Sequence, residues 1–236
     1  MEKLSYRLQT IADQVSPGNR LADIGCDHGF VPIYLIQKGI IPSAIAMDVV
    51  EGPLSHAREH IRSAGLDDVI TTRLSDGLEQ LQIGEVDTVL IAGMGGALTV
   101  RILSAKTELV RSLDELILEP QSELVLVRRF LREQNFCILS EEMVLEDGKY
   151  YPVLKICPKK TWSDHGMDPD LALSYGPSLL EKKHPVLRSF LEKEHRTLEQ
   201  ILAGLHTAGD SERVRNRKRE VEASLLNNEK AMRILD

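Results

Sequence analysis

Residues 21–29 read Leu-Ala-Asp-Ile-Gly-Cys-Asp-His-Gly, and the DIGCDHG portion at 23–29 says more about the chain than any other segment. Leu21-Ala22-Asp23-Ile24 is a short apolar run of the kind that forms a buried strand, and Gly25 and Gly29 bracket a turn. A helix is expected to begin near Pro32, because proline is tolerated in a helix's first turn. Twenty-three residues past Gly25, a second apolar run, Ala44-Ile45-Ala46-Met47, ends in Asp48. Strand, glycine turn, helix, strand and carboxylate in that order is the βαβ pattern of a nucleotide-type cofactor site. The glycines let backbone approach a ligand, and the later acid accepts hydrogen bonds from ribose hydroxyls.

The same turn narrows the cofactor. The dinucleotide fingerprint G-x-G-x-x-G, counted from Gly25, requires glycine at 27 and 30, where this chain has Asp27 and Phe30. An anionic pyrophosphate needs bare amides at a helix N-terminus, and this turn carries a carboxylate. Asp23 and Asp27 suit a cationic cofactor with an α-amino group and a sulfonium, a description that S-adenosylmethionine (SAM) fits. On that reading Gly25 permits the close turn under the methionine moiety. Asp23 or Asp27 counters the amino group or the sulfonium, Asp48 holds the ribose diol, and Asp76 accepts from the adenine amino group. Each assignment has a structural rival: Asp23 can brace the turn, Asp76 can cap a helix, and Asp48 can solvate a strand end.

Bulk properties exclude several classes. The 236 residues suffice for an α/β domain plus an appendage, and 42% hydrophobic with 28% charged residues is ordinary for a soluble globular protein. No apolar run approaches a membrane span, and the first residues lack the apolar core of a signal peptide. Cys26, Cys137 and Cys157 are scattered and form no CxxC pair, so a reduced, cytoplasmic protein without disulfides is expected. A monomer or weak dimer is expected. His56 and His60 have helical metal-pair spacing, but no third ligand accompanies them and no metal is expected; they read as solvent-facing histidines beside Arg58. Net charge is −7, which argues against nucleic acid, yet it is unevenly spread: residues 1–175 carry −9 and residues 176–236 carry +2. The latter include RVRNRKR at 213–219, a cluster that either docks phosphates or is a solvated helix face.

Periodicity predicts an opening helix over 3–15, with Leu4, Leu8, Ile11 and Val15 on one face, and then strands at 21–24, 44–47, 69–74, 88–91 and 115–118. Helices are predicted at about 32–38, from Pro53 to Ala64, at 97–104 and at 122–133. Two last strands, 136–145 and 151–157, flank the turn signal Glu146-Asp147-Gly148-Lys149. Five β/α units closed by a hairpin give an α/β, doubly wound sheet. Ligands bind such sheets at the C-terminal strand ends. Gly25–Gly29, Asp48, Asp76-Gly77 and the Ala92-Gly93-Met94-Gly95-Gly96 loop all fall there. The Pro-, Gly- and Asp-rich stretch 158–177 reads as a linker or wrapping loop. Two helices follow, one striped by Leu187, Leu191, Leu198, Leu202 and Leu205 and broken by Glu194. The other carries Val221, Leu225, Met232 and Leu235, with Asn228 in one slot. A turn at 207–210 joins them into a coiled-coil-like hairpin.

DIGCDHG, the SDGL at 75–78, AGMGG at 92–96, the opening LSYRL at 4–8 and the helical tail together resemble the bacterial tRNA (adenine-22-N1)-methyltransferase family, TrmK. The resemblance covers nearly the whole chain. It implies a Rossmann-like class I SAM-dependent methyltransferase domain over 1–158, a linker over 159–177, and a C-terminal helical domain over 178–236 that helps hold tRNA. It implies methylation of N1 of an adenine in the tRNA D-arm, with Asp27, His28, Asp48, Asp76, Gly77 and Gly93 lining the SAM pocket beside Asp23 and Gly25. The acceptor would enter over Met94 and Gly95. The Asn/Asp-Pro-Pro-aromatic motif of many amino-methyltransferases is absent there. Asp27 is the candidate proton acceptor for the exocyclic amine, with SAM ligation alone as the other role, and His28 is a candidate for orienting the base. Arg213, Arg215, Arg217, Lys218 and Arg219 are candidate phosphate contacts, with Arg7 adding one from the first helix. Tyr6, Phe30 and Tyr34 are the aromatics available to stack a flipped base. Two other functions fit the residues: a SAM enzyme for a small metabolite, with the tail as lid or dimerisation arm, and a non-catalytic interaction protein.

Overall fold

A computed structural model describes residues 4–207 and 211–236, which fall into two units, Met1–Ser163 and Asp164–Asp236. The first unit opens with α1 (Tyr6–Gln14), whose N-cap is Ser5: its hydroxyl accepts the Leu8 N–H at 3.3 Å. Then come β1 (Leu21–Ile24), α2 (Phe30–Gln37), β2 (Ala44–Asp48), α3 (Glu51–Ser63), β3 (Ile70–Leu74), β4 (Thr88–Met94), α4 (Gly96–Ala105), α5 (Thr107–Ser112), β5 (Glu115–Pro120), α6 (Leu124–Glu133), β6 (Cys137–Glu146) and β7 (Lys149–Cys157). The seven strands form one sheet in the order β3-β2-β1-β4-β5-β7-β6. β1 to β5 are parallel, and the β6/β7 hairpin is antiparallel on the β5 edge. This is the doubly wound sheet predicted.

Burial explains the sequence pattern. β1 is central and buried along its whole length, so it reads as continuous apolar residues, as parallel strands covered on both faces do. Its side chains alternate between two cores. Ala22 and Ile24 join Ile102, Leu103, Val127 and Leu131 under α4 and α6. Leu21 joins Ile11, Leu35, Leu54 and Ile61 under α1, α2 and α3. The chain reverses direction across the sheet between β1 and β4, so the loops after these strands open on one crevice. Short α5 went unpredicted because six residues show too little periodicity.

The second unit departs from the sequence expectation. Part of the segment read as a linker is helical: α7 (Pro169–Tyr175) lies within it and α8 (Pro177–Glu181) begins at its last residue, and the two helices bury Leu171, Ala172, Leu173, Tyr175, Leu179 and Leu180. Prolines at helix starts and Gly176 between the two helices explain the linker-like composition. α9 (Pro185–Thr207) and α10 (Glu212–Leu235) are the two long helices. The turn expected at 207–210 lies, from 208, outside the described residues. The two breaks in the apolar stripes meet each other. Fully buried Asn228 donates to the Leu191 carbonyl (3.0 Å) and to Glu194 Oε2 (2.9 Å), and that same Glu194 oxygen accepts the Tyr175 hydroxyl (2.8 Å).

In the first unit, α6 is tied to β6 by an ion pair between Arg128 and Glu141, whose side chains are 1% and 0% exposed, with Nε to Oε1 at 3.0 Å. Removing one partner takes the balancing charge away from the other in the core. Glu141→Ala is therefore expected to lower stability by about 3–5 kcal/mol in a denaturant titration, whereas Arg128→Met/Glu141→Leu together should lose far less.

Candidate active site

The turn after β1 is made of left-handed residues. Gly25 (φ 74°), Asp27 (φ 47°) and Gly29 (φ 69°) reverse the chain within five positions. The Gly25 and Cys26 N–H groups both donate to the Met47 carbonyl, at 2.8 and 3.0 Å, which ties the turn to the end of β2. The left-handed conformation costs a non-glycine residue about 1–2 kcal/mol, and such strain concentrates at functional positions. Here it places the Asp27 carboxylate in solvent at the mouth of the crevice, 70% exposed.

Asp23 is the opposite case. It is 6% exposed, and its side chain has no hydrogen bond or ion pair among the described residues. Burial first, and the Asp48 carboxylate second, push its pKa up to about 7, with no cation offsetting them. Asp48 ends β2 and uses one oxygen to accept the Val50 N–H at 2.9 Å. Val49 and Val50 beside it are exposed apolar residues, as is Leu74 at the end of β3. A buried anion without a counter-cation, a second carboxylate and an apolar rim fit a ligand with an ammonium group, a diol and a flat ring.

After β3, the Ser75 hydroxyl donates to the Gly77 carbonyl at 2.9 Å. A Cβ on Gly77 would lie 2.9 Å from Ile102, so α4 can approach only because glycine stands there. Asp76 is exposed, and one of its oxygens accepts from Arg101 at 3.1 Å; Arg101 had no role in the sequence reading.

The 92–96 loop lies against the cofactor turn. A Cβ on Gly25 would fall 2.4 Å from the Met94 methyl group. Pairing between β4 and β5 slips between Ala92 and Met94, leaving Gly93 (φ 77°) outside the ladder. The Gly93 N–H donates instead to Glu119 Oε2 at 2.7 Å. Gly95 is the N-cap of α4. Three residues past Glu119's neighbour Pro120, Glu123 accepts the Ala97 N–H at 2.9 Å and so caps α4 from outside. Glu119 and Glu123 were both missed from sequence. The available signal was an acid ending an otherwise apolar strand.

His28 is half-buried and stacks on Phe30 (5.2 Å between centroids) and His56 (5.5 Å). His60 packs on both His28 and Phe30 at 5.3 Å, and its Nδ1 lies 3.0 Å from the His28 carbonyl. His60 thus faces this ring cluster and not solvent, as the sequence reading had it, while His56 is exposed. His28 Nε2 stands 3.6 Å from Asp27 Oδ1, and its Nδ1 is buried without a partner. Phe30 and Tyr34 line a cleft of about 510 Å³ between α1, α2 and α3; Tyr6 is 68% exposed.

Arg7 requires a correction. Its guanidinium is engaged by Glu119 Oε2 (3.3 Å) and Glu146 Oε2 (4.0 Å), and lies over the Tyr151 ring, so it is not a free phosphate contact. In the second unit, Arg213, Arg215, Arg217 and Arg219 are exposed on α10 and Lys218 is half-buried; Arg217 pairs with Glu220 at 2.8 Å.

Fold and crevice define a Rossmann-like methyltransferase, and a family model described as a methyltransferase domain matches residues 4–154. The tRNA (adenine(22)-N(1))-methyltransferase of Bacillus subtilis is 33% identical over 93% of this chain and 92% of its own length. The chain belongs to that family. The crystal structure of the B. subtilis m1A22 tRNA methyltransferase TrmK superposes with a TM-score of 0.90 at 31% identity, over 98% of this chain and 99% of that one. A Streptococcus pneumoniae protein, described as a putative tRNA (m1A22) methyltransferase and solved with S-adenosyl-L-methionine, gives 0.86 at 30% identity, over 98% and 100%.

Asp23 makes a testable contribution to stability. Its folded pKa of about 7 stands above the unfolded value near 3.8, so folding takes up a proton between them. The ionised, buried carboxylate therefore destabilises the free protein increasingly as pH rises from about 4 to 7, and by a constant amount above that. Asp23→Asn is expected to raise the unfolding free energy at pH 8 by roughly 2–4 kcal/mol and to change it little near pH 4, read by urea titration at both values.

Proposed function

We propose that this protein transfers a methyl group from S-adenosylmethionine to N1 of adenine 22 in the D-arm of bacterial tRNA, in the cytoplasm and as a monomer or weak dimer. The observation that carries the cofactor reading is Asp23, a buried carboxylate facing Asp48 with no cation to offset it. Family membership carries the acceptor.

Asp23 holds the ammonium of the methionine moiety, and Gly25 lets the turn close under it. Asp48 keeps one oxygen for the ribose diol, Asp76 and Gly77 border the adenine, and Gly93 closes the far wall. When bound, the cofactor supplies an electrophilic methyl group to the N1 lone pair. The chain's own part is proximity and orientation. The target base enters over Met94 and Gly95. N1-methyladenine stays cationic until a proton leaves its exocyclic amine. Asp27, held at the mouth of the crevice, accepts that proton or else only ligates the cofactor, and His28, held by stacking, orients the base.

A base in the D-arm must leave its stack first, at a cost of a few kcal/mol, so contacts elsewhere on the RNA must offset this. Arg213, Arg215, Arg217, Lys218 and Arg219 supply them from α10, in a helical unit that serves as the tRNA-binding domain. The first unit, being strongly acidic, is a poor surface for a polyanion.

Incubation with SAM labelled in the methyl group and unmodified tRNA should place label in 1-methyladenosine, and Asp48→Ala should abolish it. Label in small molecules but not RNA would overturn the reading. Arg213→Glu/Arg215→Glu/Arg219→Glu should raise the KM for tRNA and flatten its salt dependence, with SAM affinity unchanged.

SAM binding itself should depend on pH. Below pH 7 the ammonium must displace the Asp23 proton, so affinity should rise about tenfold per unit from about pH 5.5 to 7 and then level, with a proton released at the acidic end. Calorimetry should show Asp23→Asn both weaker and flat.

A further inference from the structure

We propose that Glu119 is a positioning residue: it sets the acceptor loop 92–96 against the cofactor turn through the Gly93 N–H, with Arg7 of α1 as its counter-ion. This rests on the methyltransferase reading above.

Four observations carry it. First, Glu119 is 0% exposed at the C-terminal end of β5, where the preceding Leu116, Ile117 and Leu118 are equally buried and apolar. An apolar side chain would fill this place without desolvating a charge, so packing alone does not account for an acid. Second, the slip between Ala92 and Met94 takes Gly93 out of the β4/β5 ladder, and Glu119 Oε2 replaces the lost partner at 2.7 Å. Gly93 itself is left-handed (φ 77°), a conformation glycine adopts without steric cost, which lets its N–H turn away from the ladder toward Glu119. Third, the residue after Gly93 is Met94, whose methyl group fills the space beside Gly25. Met94 therefore connects the loop to the turn that carries Asp27. Fourth, Glu119 Oε1 is buried without a partner, and Oε2 is shared between the Gly93 N–H and Arg7 Nη1. The carboxylate is fixed by these two donors and by nothing else among the described residues.

Arg7 thereby acquires a different role from the phosphate contact expected of it. It steadies the anion behind the loop, while Glu146 and the Tyr151 ring hold the guanidinium in place. The chain Arg7–Glu119–Gly93–Met94–Gly25 links the opening helix to the cofactor turn.

The test compares Glu119→Gln, Glu119→Leu and Arg7→Met in the full-length protein. Exchange of the Gly93 amide hydrogen, followed by NMR without substrates, reads the clamp; kcat and KM for tRNA read its effect, and SAM affinity and thermal unfolding are measured alongside. Glutamine retains an acceptor oxygen for the Gly93 N–H and leucine does not. Glu119→Leu should speed exchange at Gly93 at least tenfold and lower kcat at least tenfold. Glu119→Gln should recover most of both. Should the leucine variant fail to fold, Arg7→Met decides: it should lower kcat severalfold, leaving the KM for tRNA and its salt dependence unchanged. A raised KM with a flatter salt dependence and intact kcat would make Arg7 an RNA contact and overturn the proposal. So would equal kcat in the leucine variant and wild type, or equal damage from glutamine and leucine. A wild-type protein with a protected Gly93 amide but no methyl transfer to tRNA would refute the functional reading and leave the clamp standing.

Discussion

The burial of the Asp23 carboxylate, with Asp48 adding repulsion and no cation offsetting either, is the constraint around which the crevice is organised. Two carboxylates at neighbouring strand ends, one of them buried, raise the energy of the free protein. A fold tolerates such a pair where a cationic ligand relieves it, because the same low dielectric that makes the unpaired anion costly strengthens its attraction to a cation. Everything near the pair serves to keep it in place. The Met47 carbonyl takes two N–H groups from the turn, and the Asp48 carbonyl takes the Ser75 N–H. The ends of β1, β2 and β3 are thus fastened to one another at the level of the site.

The acidic theme continues on the acceptor side with a different logic. Glu119 and Glu123 are anions used as hydrogen-bond acceptors for backbone, one for Gly93 and one for Ala97. Between them they hold both ends of a loop whose glycines give it no side chains with which to hold itself. Gly96 shows why the loop is glycine-rich: a Cβ there would stand 2.6 Å from the Ser122 carbonyl oxygen, so the β5–α6 loop can close over it only in glycine's absence of a side chain. Small residues create the opening, and two carboxylates, buried Glu119 and exposed Glu123, replace the rigidity those residues give up.

What could be read in the sequence follows from how local each signal is. The βαβ start was legible because a strand, a glycine turn and Asp48 lie within one window, and because β1 is buried on both faces and so shows as an uninterrupted apolar run. The positions of Gly25, Asp48, Asp76 and Gly93 at strand ends followed from topology alone. Glu119 and Arg7 were not legible as partners, since 112 residues separate them and only the sheet order brings α1 beside β5. The His28, Phe30, His56 and His60 cluster failed for the same reason: HxxxH on α3 looks solvent-facing until α2 is laid beside it. Residues 169–177 misled in another way, because prolines at helix starts and a glycine between helices are the residues of a linker as well.

On the proposed reading, the second unit supplies the contacts to RNA that the first lacks. Residues 1–163 carry −6 and residues 164–236 carry −1, so the basic run 213–219 on α10 stands out against an acidic chain. On that same reading, the exposed arginines of α10 meet the phosphates of the RNA. A long helical hairpin suits this purpose only if its register is fixed, since sliding by one turn would move the whole basic row along the helix. Uniform leucine stripes leave register open, and a buried polar residue at one position closes it at some cost in stability. Asn228, satisfied by Leu191 and Glu194, and Glu194, satisfied in turn by Tyr175, meet that requirement. The breaks that made the stripes look imperfect are the residues that determine where Arg213 to Arg219 stand along α9.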